Sequence, residues 1–456
     1  MVKLKHNFDL IVIGSGAGGS TAAVAARSAG MKVAIIEAET FGGSAPNHND
    51  IPLGALIQTA HLYNAARRGS RFGISSTTLR YNYPAIAHFK DIVVRRGGGG
   101  GNRKFYDNLG IQTLHGLAHF LSPNEISVGN KRFSAKYFLI ATGARLKKPD
   151  IKNLENIKHL TTKDVISTTR LPRSLFVVGG GRTGVELAQF FAMLGTKVLI
   201  AEKSARLVPT EDEEVGAALS KVFNDSYGIK VLTKTKVVAT ANGSGVKKVT
   251  FMRGSEEKTI AIDEVLIATE REPNTDLGLE NAGVKYNAHG VQVNEYLQTS
   301  MKNIYAVGDV INPHHSTSKA MAQGTWVVDN MPRRVKQPVP TTSVPNITLT
   351  YPQVASVGLT EDDCLKRDLK IRKSIAPLSV IARSNVSDFR DGFVKIITSD
   401  HGKILGGVIV APEASSMISE LTIAVNHDLL ASDLADLPHA FMSWSEAIKV
   451  AAKKIG

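Results

Sequence analysis

Short apolar runs followed by glycine-rich turns recur along this chain. Residues 8–13 read FDLIVI, which is typical of a buried strand. A glycine-rich turn follows, then the helical pattern STAAVAARSAG, then a second strand pattern, KVAIIE, which ends at Glu37. The turn consists of Gly14, Ser15, Gly16, Ala17, Gly18 and Gly19. This order predicts a strand-helix-strand unit of a parallel sheet.

The same order occurs a second time. Residues 175–180 read LFVVGG, the helical pattern VELAQFFAMLG follows, and the strand pattern KVLIAE ends at Glu202. The turn between strand and helix consists of Gly179, Gly180, Gly181, Arg182, Thr183 and Gly184. Further strands are predicted at FLIATG (138–143), VLIATE (265–270) and NIYAVGD (303–309), of which the last ends in Asp309.

Both turns have the spacing Gly-x-Gly-x-x-Gly, and each lies in a complete strand-turn-helix-strand-acid unit. Glycine lets the backbone approach a pyrophosphate, the helix N-terminus favours its negative charge, and the terminal acid accepts hydrogen bonds from ribose hydroxyls. Two such units predict two dinucleotide sites. Glu202 favours NAD(H) over NADP(H), although Lys203 and Arg206 lie close enough to weaken that preference.

Composition narrows the class of protein further. The chain has 456 residues, of which 43% are hydrophobic and 21% charged, so several soluble domains are expected. The net charge of +14 arises from scattered basic residues, so no nucleic-acid partner is expected, and only peripheral membrane contact stays open. The one cysteine, Cys364, fits a cytoplasmic setting, and no apolar stretch reaches the ~18 residues of a membrane span.

These motifs, in this order, resemble the class I pyridine nucleotide-disulfide oxidoreductases from about residue 8 to about residue 450. The resemblance implies an α/β fold with two Rossmann-like FAD/NAD(P)-binding domains and a C-terminal α+β dimerisation domain. Its implied boundaries are 1–149 and 271–338 for the FAD-binding parts, 150–270 for the NAD(H)-binding domain, and 339–456 for the dimerisation domain. It also implies a homodimer, with VPNITLTYPQVASVGLTEDD and GFVKIITSDHGKILGGVIVAPEAS in the dimerisation domain.

The resemblance assigns cofactor contacts residue by residue. For FAD it implies Gly14, Ser15, Gly16, Ala17, Gly18, Gly19, Glu37, Ser44, Ala118, Thr142, Gly143, Asp309 and Thr317. For NAD, with NADH favoured over NADPH, it implies Gly179, Gly181, Arg182, Thr183, Gly184, Glu202 and Glu270.

The chain departs from the family pattern at the residues with which that family reduces disulfides. Ala45 and Asp50 occupy the positions of the family's two redox cysteines in GGSAPNHNDIPLG, and neither side chain can form a disulfide. Phe441 stands where the family has its catalytic histidine, although the orienting Glu446 is present. Gly54 replaces the lysine beside the flavin.

The nicotinamide side departs as well. Glu186 remains without its lysine, Arg182 replaces a frequent gating aromatic, and Glu270 replaces a glycine that approaches the NAD pyrophosphate. We expect the Glu270 carboxylate to repel phosphate and to crowd the backbone approach.

The candidate catalytic residues are Asp50, Glu186 and Glu446. Asp50 either exchanges a proton with an acceptor at the flavin or acts as the N-cap of a helix that begins at Ile51-Pro52. Arg182 either binds an anion or folds over the nicotinamide pocket. Cys364, in EDDCLKR, is expected on an exposed helix without a catalytic role.

The sequence gives no support for a metal site, since His314 and His315 are adjacent and no third ligand is evident. The glycine run 97–101 is expected to interrupt a helix. The leading hypothesis is an FAD-dependent NAD(P)H oxidoreductase that passes electrons directly to a non-thiol acceptor such as a quinone. The alternative is an inactive FAD-binding homodimer with a binding or regulatory role.

Overall fold

The computed structural model describes residues 6–75, 78–98, 103–312 and 316–455. The pair His314–His315 and the glycines 99–101 lie outside the described residues. The helix before the glycine run ends at Arg96, directly before Gly97, as expected from the low helix propensity of glycine.

The strands are Phe8–Ile13 (β1), Val33–Glu37 (β2), Gln112–His115 (β3), Ala118–Ser122 (β4), Glu125–Val128 (β5), Lys131–Ile140 (β6), Ala144–Leu146 (β7), Ser174–Val178 (β8), Lys197–Ala201 (β9), Lys230–Leu232 (β10), Thr235–Asn242 (β11), Lys247–Arg253 (β12), Glu256–Ile262 (β13), Glu264–Ile267 (β14), Arg271–Pro273 (β15), Tyr286–Asn287 (β16), Gly290–Val291 (β17), Ile304–Ala306 (β18), Asn346–Thr348 (β19), Gln353–Gly358 (β20), Ile371–Pro377 (β21), Phe393–Ser399 (β22) and Ile404–Ala411 (β23).

The α-helices are Ala17–Ser28 (α1), Ser44–Asn47 (α2), Asp50–Arg67 (α3), Tyr83–Arg96 (α4), Arg103–Asn108 (α5), Thr162–Val165 (α6), Arg182–Met193 (α7), Glu213–Tyr227 (α8), Thr317–Asn330 (α9), Glu361–Lys366 (α10), Ala382–Val386 (α11), Ala414–Asn426 (α12), Ala431–Asp436 (α13) and Glu446–Lys453 (α14). Among the described residues, no helix combines the length and apolarity needed to cross a membrane.

The chain folds into two compact units. The first contains the residues up to Leu53 together with His88–Lys147 and Glu270–Thr341. Its sheet has the order β3-β2-β1-β6-β5-β4, with β18 paired to β6. Strand β1 runs parallel to β2 and to β6, so the strand predicted at residues 8–13 is confirmed at the centre of the sheet. Helix α1 packs against α9.

The second unit contains Gly54–Ala87, Lys148–Thr269 and the residues from Thr342 onward. It has a parallel sheet in the order β10-β9-β8-β14, an antiparallel sheet β11-β12-β13, and a five-stranded sheet β19-β20-β23-β22-β21. Within the stretch GFVKIITSDHGKILGGVIVAPEAS, strands β22 and β23 form an antiparallel hairpin that leads into α12. The α/β fold class is confirmed, whereas the four predicted domain boundaries stay predictions.

Cys364 contradicts the expectation of an exposed residue. It lies on α10, as expected, but it is fully buried, while the next residue, Leu365, is 80% exposed. Thr360 and Asp363 form a reciprocal capping box that fixes the start of this helix and the face that turns inward. Burial also raises the pKa of the Cys364 thiol, which therefore stays protonated near neutral pH.

A buried ammonium group holds two parts of the second unit together. Lys395 on β22 is fully buried, and its Nζ lies 3.0 Å from Asp212 and 2.8 Å from Glu214, and also contacts Glu361. Although burial alone would lower it, the pKa of Lys395 is raised by the hydrogen bonds to these carboxylates. The three carboxylates could otherwise hold a metal ion, but here the ammonium lies among them.

We expect Lys395→Met to lower the free energy of unfolding by about 3–5 kcal/mol, because it leaves three carboxylates without their buried counter-charge. Lys373→Met is the matched control, because Lys373 contacts the same Glu361 at 2.6 Å but is half exposed. It should cost less than about 1 kcal/mol. Equal losses in guanidinium unfolding of the two variants would contradict the account.

Candidate functional site

The first glycine turn depends on close backbone contacts. Gly14 has a φ of +100°, and a Cβ there would lie 2.3 Å from the carbonyl oxygen of Ala141. A Cβ at Gly19 would lie 2.0 Å from the carbonyl oxygen of Gly14. A Cβ at Gly18 would lie 2.9 Å from the carbonyl oxygen of Ala320 on α9. No larger side chain fits at these positions without a backbone shift.

Gly16 differs from its neighbours because it faces open space. A Cβ at Gly16 would meet no atom of the described residues within 4 Å, and its φ of −65° suits any residue. Ala17 begins α1 directly after it, so the free N–H groups of the first helical turn lie beside this space. A side chain is therefore absent where a phosphate would need room.

The acid at the end of β2 is tied to this turn. The Glu37 carboxylate accepts hydrogen bonds from the Ser15 backbone N–H (3.0 Å) and the Ser15 hydroxyl (2.6 Å). Its other oxygen accepts from the Glu39 N–H at 2.8 Å. Ser15 Oγ also accepts from the Gly42 N–H at 3.0 Å, so it joins Glu37 to the segment that contains Ala45 and Asp50.

The second glycine turn repeats this geometry. Gly179 has a φ of +105°, and a Cβ there would lie 2.4 Å from the Ala268 carbonyl oxygen. A Cβ at Gly184 would lie 2.1 Å from the Gly179 carbonyl oxygen, whereas a Cβ at Gly181 would meet nothing within 4 Å in the described structure. Helix α7 begins directly afterwards, with Arg182 and Thr183 in its first turn.

The acid that directly follows β9 is bound to its glycine turn in the same way as Glu37. Glu202 accepts hydrogen bonds from the Gly180 N–H (2.6 Å) and the Ser204 N–H (2.7 Å). Each acid lies 22 residues after the loop residue whose N–H donates to it: Glu37 follows Ser15, and Glu202 follows Gly180. The structure therefore brings together, in each unit, the loop, helix and acid that the sequence predicted to act together.

The segment 42–50, in which the sequence resemblance implies two cysteine positions, is held by local contacts. Ser44, which is exposed, and Ala45 begin the short helix α2. Asn47 closes the turn, because its side-chain amide donates to the carbonyl oxygens of Phe41 (3.1 Å) and Gly43 (2.8 Å).

Asp50 lies at the first position of α3. Its carboxylate accepts a hydrogen bond from the Thr317 hydroxyl at 2.9 Å, and Thr317 is itself the first residue of α9. Two helix N-termini therefore face this carboxylate, and both favour its negative charge. The helix begins at Asp50 itself and not after it, and the contact with Thr317 goes beyond a local cap.

The remaining residues predicted for FAD lie in the same unit. Thr142 donates from its hydroxyl to the Asn274 carbonyl oxygen (2.7 Å), and the Asn274 side chain donates back to the Thr142 carbonyl oxygen (2.9 Å). Gly143 follows Thr142 with a φ of +69°. The carboxylate of Asp309 lies 3.4 Å from the guanidinium of Arg271. Ala118 is a buried residue of β4 and offers only its backbone.

Asn274 and Arg271 were not predicted as site residues. Both lie within four positions after the VLIATE run. The pairing of β15 with β7 brings Asn274 beside Thr142, and Arg271 at the start of β15 contacts Asp309.

Two residues of the predicted nicotinamide side have structural partners. Glu186 is buried, and its carboxylate accepts a hydrogen bond from the Leu349 N–H at 2.7 Å. Burial raises the pKa of the Glu211 carboxyl to about 7, against the opposing effects of a hydrogen bond from Ser356 and of the Arg182 charge. The charge of Arg182 therefore acts on a carboxyl group of its own unit.

Glu270 turns its side chain outward. It is about half exposed, and its carboxylate lies 3.8 Å from the Lys147 ammonium group. The adjacent Thr269, beside the Gly179 turn, has a buried hydroxyl without a hydrogen-bond partner among the described residues. Such an unsatisfied group is costly unless a ligand or water completes it.

Glu446 begins α14, where its carboxylate accepts a hydrogen bond from the Met442 N–H at 2.9 Å. It therefore holds the loop that contains Phe441, whose side chain is 77% exposed. The neighbouring His439 contacts the Glu420 carboxylate at 2.8 Å and the Leu437 carbonyl oxygen at 3.0 Å. These two contacts fix the position of the His439 ring within its own unit.

Both loops fit a dinucleotide by the same criteria. In each, one glycine leaves open space at a helix N-terminus, two glycines press strand and helix together, and a buried acid borders the space. The residues present therefore suit a dinucleotide at each loop.

Comparison with known proteins places these features in a family. Residues 8–324 match the family model described as pyridine nucleotide-disulphide oxidoreductase, and residues 344–452 match the dimerisation domain of the same family. The mercuric reductase of Streptomyces lividans is 34% identical, with 99% of this chain and 97% of the relative covered. The dihydrolipoyl dehydrogenase of Thermus scotoductus is 33% identical, with 98% and 97% covered.

Solved structures agree. LpdA from Mycobacterium tuberculosis superposes with a TM-score of 0.87 at 25% identity, covering 98% of this chain and 99% of that one. The HOCl-induced flavoprotein disulfide reductase RclA from Escherichia coli gives a TM-score of 0.83 at 25% identity, covering 98% and 100%. On these grounds the chain belongs to the pyridine nucleotide-disulphide oxidoreductase family, whose members are FAD-dependent enzymes that use NAD(P)H.

Proposed function

We propose that this protein is an FAD-dependent NAD(P)H oxidoreductase that works without a disulfide relay. Electrons pass from the reduced flavin directly to a non-thiol acceptor such as a quinone. The observation that carries this proposal is that both dinucleotide loops are complete, while Ala45 and Asp50 stand where the family resemblance puts redox cysteines.

FAD, when bound, would supply the redox chemistry, since it can take a hydride from a nicotinamide and give up electrons in steps of one or two. In this proposal the first loop and Glu37 hold its adenosine and pyrophosphate part. Thr142, Gly143 and Asp309 border the remainder, with Ser44, Ala118 and Thr317. The second loop and Glu202 hold NADH.

The absence of a thiol relay rests on cysteine chemistry. The chain has one cysteine, so no disulfide can form within it. Cys364 is fully buried on α10 and its pKa is raised by burial, so it is unsuited to act as a nucleophile. A carboxylate at Asp50 can exchange a proton but cannot carry electrons.

Asp50 is the group that we assign to proton exchange with the acceptor. Its contact with Thr317 fixes one carboxylate oxygen by a hydrogen bond of 2.9 Å.

The match of residues 344–452 to the dimerisation domain supports a homodimer. In this arrangement Glu446 is a positioning residue, because it holds the loop that presents Phe441.

An inactive FAD-binding homodimer is the second candidate. It is favoured by Glu186, whose carboxylate accepts a hydrogen bond from the Leu349 N–H and so already has a structural partner. If neither NADH nor NADPH reduced the bound flavin, this candidate would be favoured over the enzyme.

The two open glycines allow each dinucleotide to be removed separately. We expect Gly16→Val to give a folded protein without flavin, and Gly181→Val to give a flavin-containing protein that NADH no longer reduces. Both positions have negative φ and open space, so the new side chain should block the ligand without straining the backbone. Visible absorption and circular dichroism would measure flavin content and fold.

Gly19→Ala is the matched control for Gly16→Val. Its Cβ would lie 2.0 Å from the Gly14 carbonyl oxygen, so this variant should lose stability as well as flavin. If Gly16→Val retained full flavin content, the assignment of the first loop would be wrong.

The role of Asp50 can be tested with two acceptors. We expect Asp50→Asn to lower kcat with a benzoquinone by about 10²-fold or more, because quinone reduction requires protons and ferricyanide reduction does not. Turnover with ferricyanide should be unchanged or higher. Steady-state rates with each acceptor at saturating NADH measure the difference.

Thr317→Val serves as the control, because it removes the hydrogen bond but leaves the carboxylate. It should lower the quinone rate less than Asp50→Asn does. An equal loss of rate with both acceptors in Asp50→Asn would show that the residue supports the site structurally and transfers no proton.

A further inference from the structure

An ion pair lies close to the second glycine loop. Arg206 follows Glu202 by four positions, and its Nη2 lies 3.1 Å from the Asp362 carboxylate and 3.4 Å from the Pro209 carbonyl oxygen. Asp362 belongs to α10, so it comes from a part of the second unit distant in sequence.

The backbone fixes Arg206 at the edge of this loop. The Val208 N–H donates to the Gly180 carbonyl oxygen at 2.8 Å. A Cβ at Gly180 would lie 2.6 Å from the Leu207 side chain, which shows how closely this segment packs on the turn. The backbone next to Arg206 therefore lies against the second glycine turn, while the guanidinium of Arg206 is turned to Asp362.

An arginine beside a dinucleotide loop can determine which nucleotide binds there. A terminal acid such as Glu202 prefers the free 2′-hydroxyl of NAD(H), whereas a nearby arginine accommodates the 2′-phosphate of NADP(H). A guanidinium binds phosphate through paired hydrogen bonds, and a carboxylate competes for the same donors. The buried Nε of Arg206 has no hydrogen-bond partner in the described structure, so the contact with Asp362 leaves one donor unsatisfied.

We propose that Asp362 withholds Arg206 from the bound nucleotide and thereby sets the preference for NADH over NADPH. This inference rests on the proposed function, since it concerns the nucleotide of the second loop. It assigns the specificity to two residues, Arg206 and Asp362, that act as a pair.

Asp362 can be changed without loss of the helix cap. The capping box of α10 uses Thr360 and Asp363, and Asp362 is 63% exposed. Asp362→Asn therefore removes one charge and keeps the shape of the side chain. Asp391→Asn is a matched control, because it removes a similar carboxylate from the ion pair with Lys221, at 2.7 Å.

The test is isothermal titration calorimetry of the flavin-containing protein with NAD⁺ and with NADP⁺, which cannot reduce the flavin. The wild type should bind NAD⁺ more tightly. Asp362→Asn should bind NADP⁺ about two- to fivefold more tightly than the wild type, the gain expected when one exposed ion pair no longer competes for Arg206, with NAD⁺ affinity unchanged. The gain should be absent in the Arg206→Gln/Asp362→Asn double variant and in Asp391→Asn.

Two results would overturn the inference while the proposed function survives. One is NAD⁺ binding without any gain for NADP⁺ in Asp362→Asn, and the other is a gain that persists in the double variant. A wild type that binds neither nucleotide would overturn the inference and the proposed function together.

Discussion

Each dinucleotide loop depends on one backbone contact that only glycine permits. Gly19 lies so close to the Gly14 carbonyl oxygen that a Cβ would approach it to 2.0 Å, and Gly184 repeats this against Gly179 at 2.1 Å. The contact sets the helix N-terminus directly behind the end of the strand. Because the loop is then short and its N–H groups converge, a buried acid can hold it from the next strand, as Glu37 does.

Local pattern was enough to predict the strand-helix-strand units, because each is encoded within about 30 consecutive residues. It was insufficient at Cys364, where flanking charged residues suggested an exposed helix face. The capping box and tertiary packing turned that residue inward and left Leu365 exposed instead. Lys395 is a similar case, since its three carboxylate partners come from distant parts of the chain and no sequence period indicates them.

The candidate site also has features that the sequence predicts and a contact that it does not. Loops, acids and the departures at Ala45 and Asp50 are visible in the sequence because they have fixed spacing. The contact between Asp50 and Thr317 is not, because 267 positions separate the two residues and only the fold joins them. That contact holds the Asp50 carboxylate between two helices, and it fixes the orientation of the group that we propose for proton exchange.

In the proposed reaction NADH reduces a flavin in this protein and no thiol takes part. An anaerobic titration of the purified protein with NADH, followed by its visible spectrum, is the first experiment to carry out. We expect a yellow protein whose flavin absorption is lost at one equivalent of NADH, followed by full reoxidation when a quinone is added. A flavin that stays oxidised with excess NADH and with excess NADPH would contradict the proposed reaction.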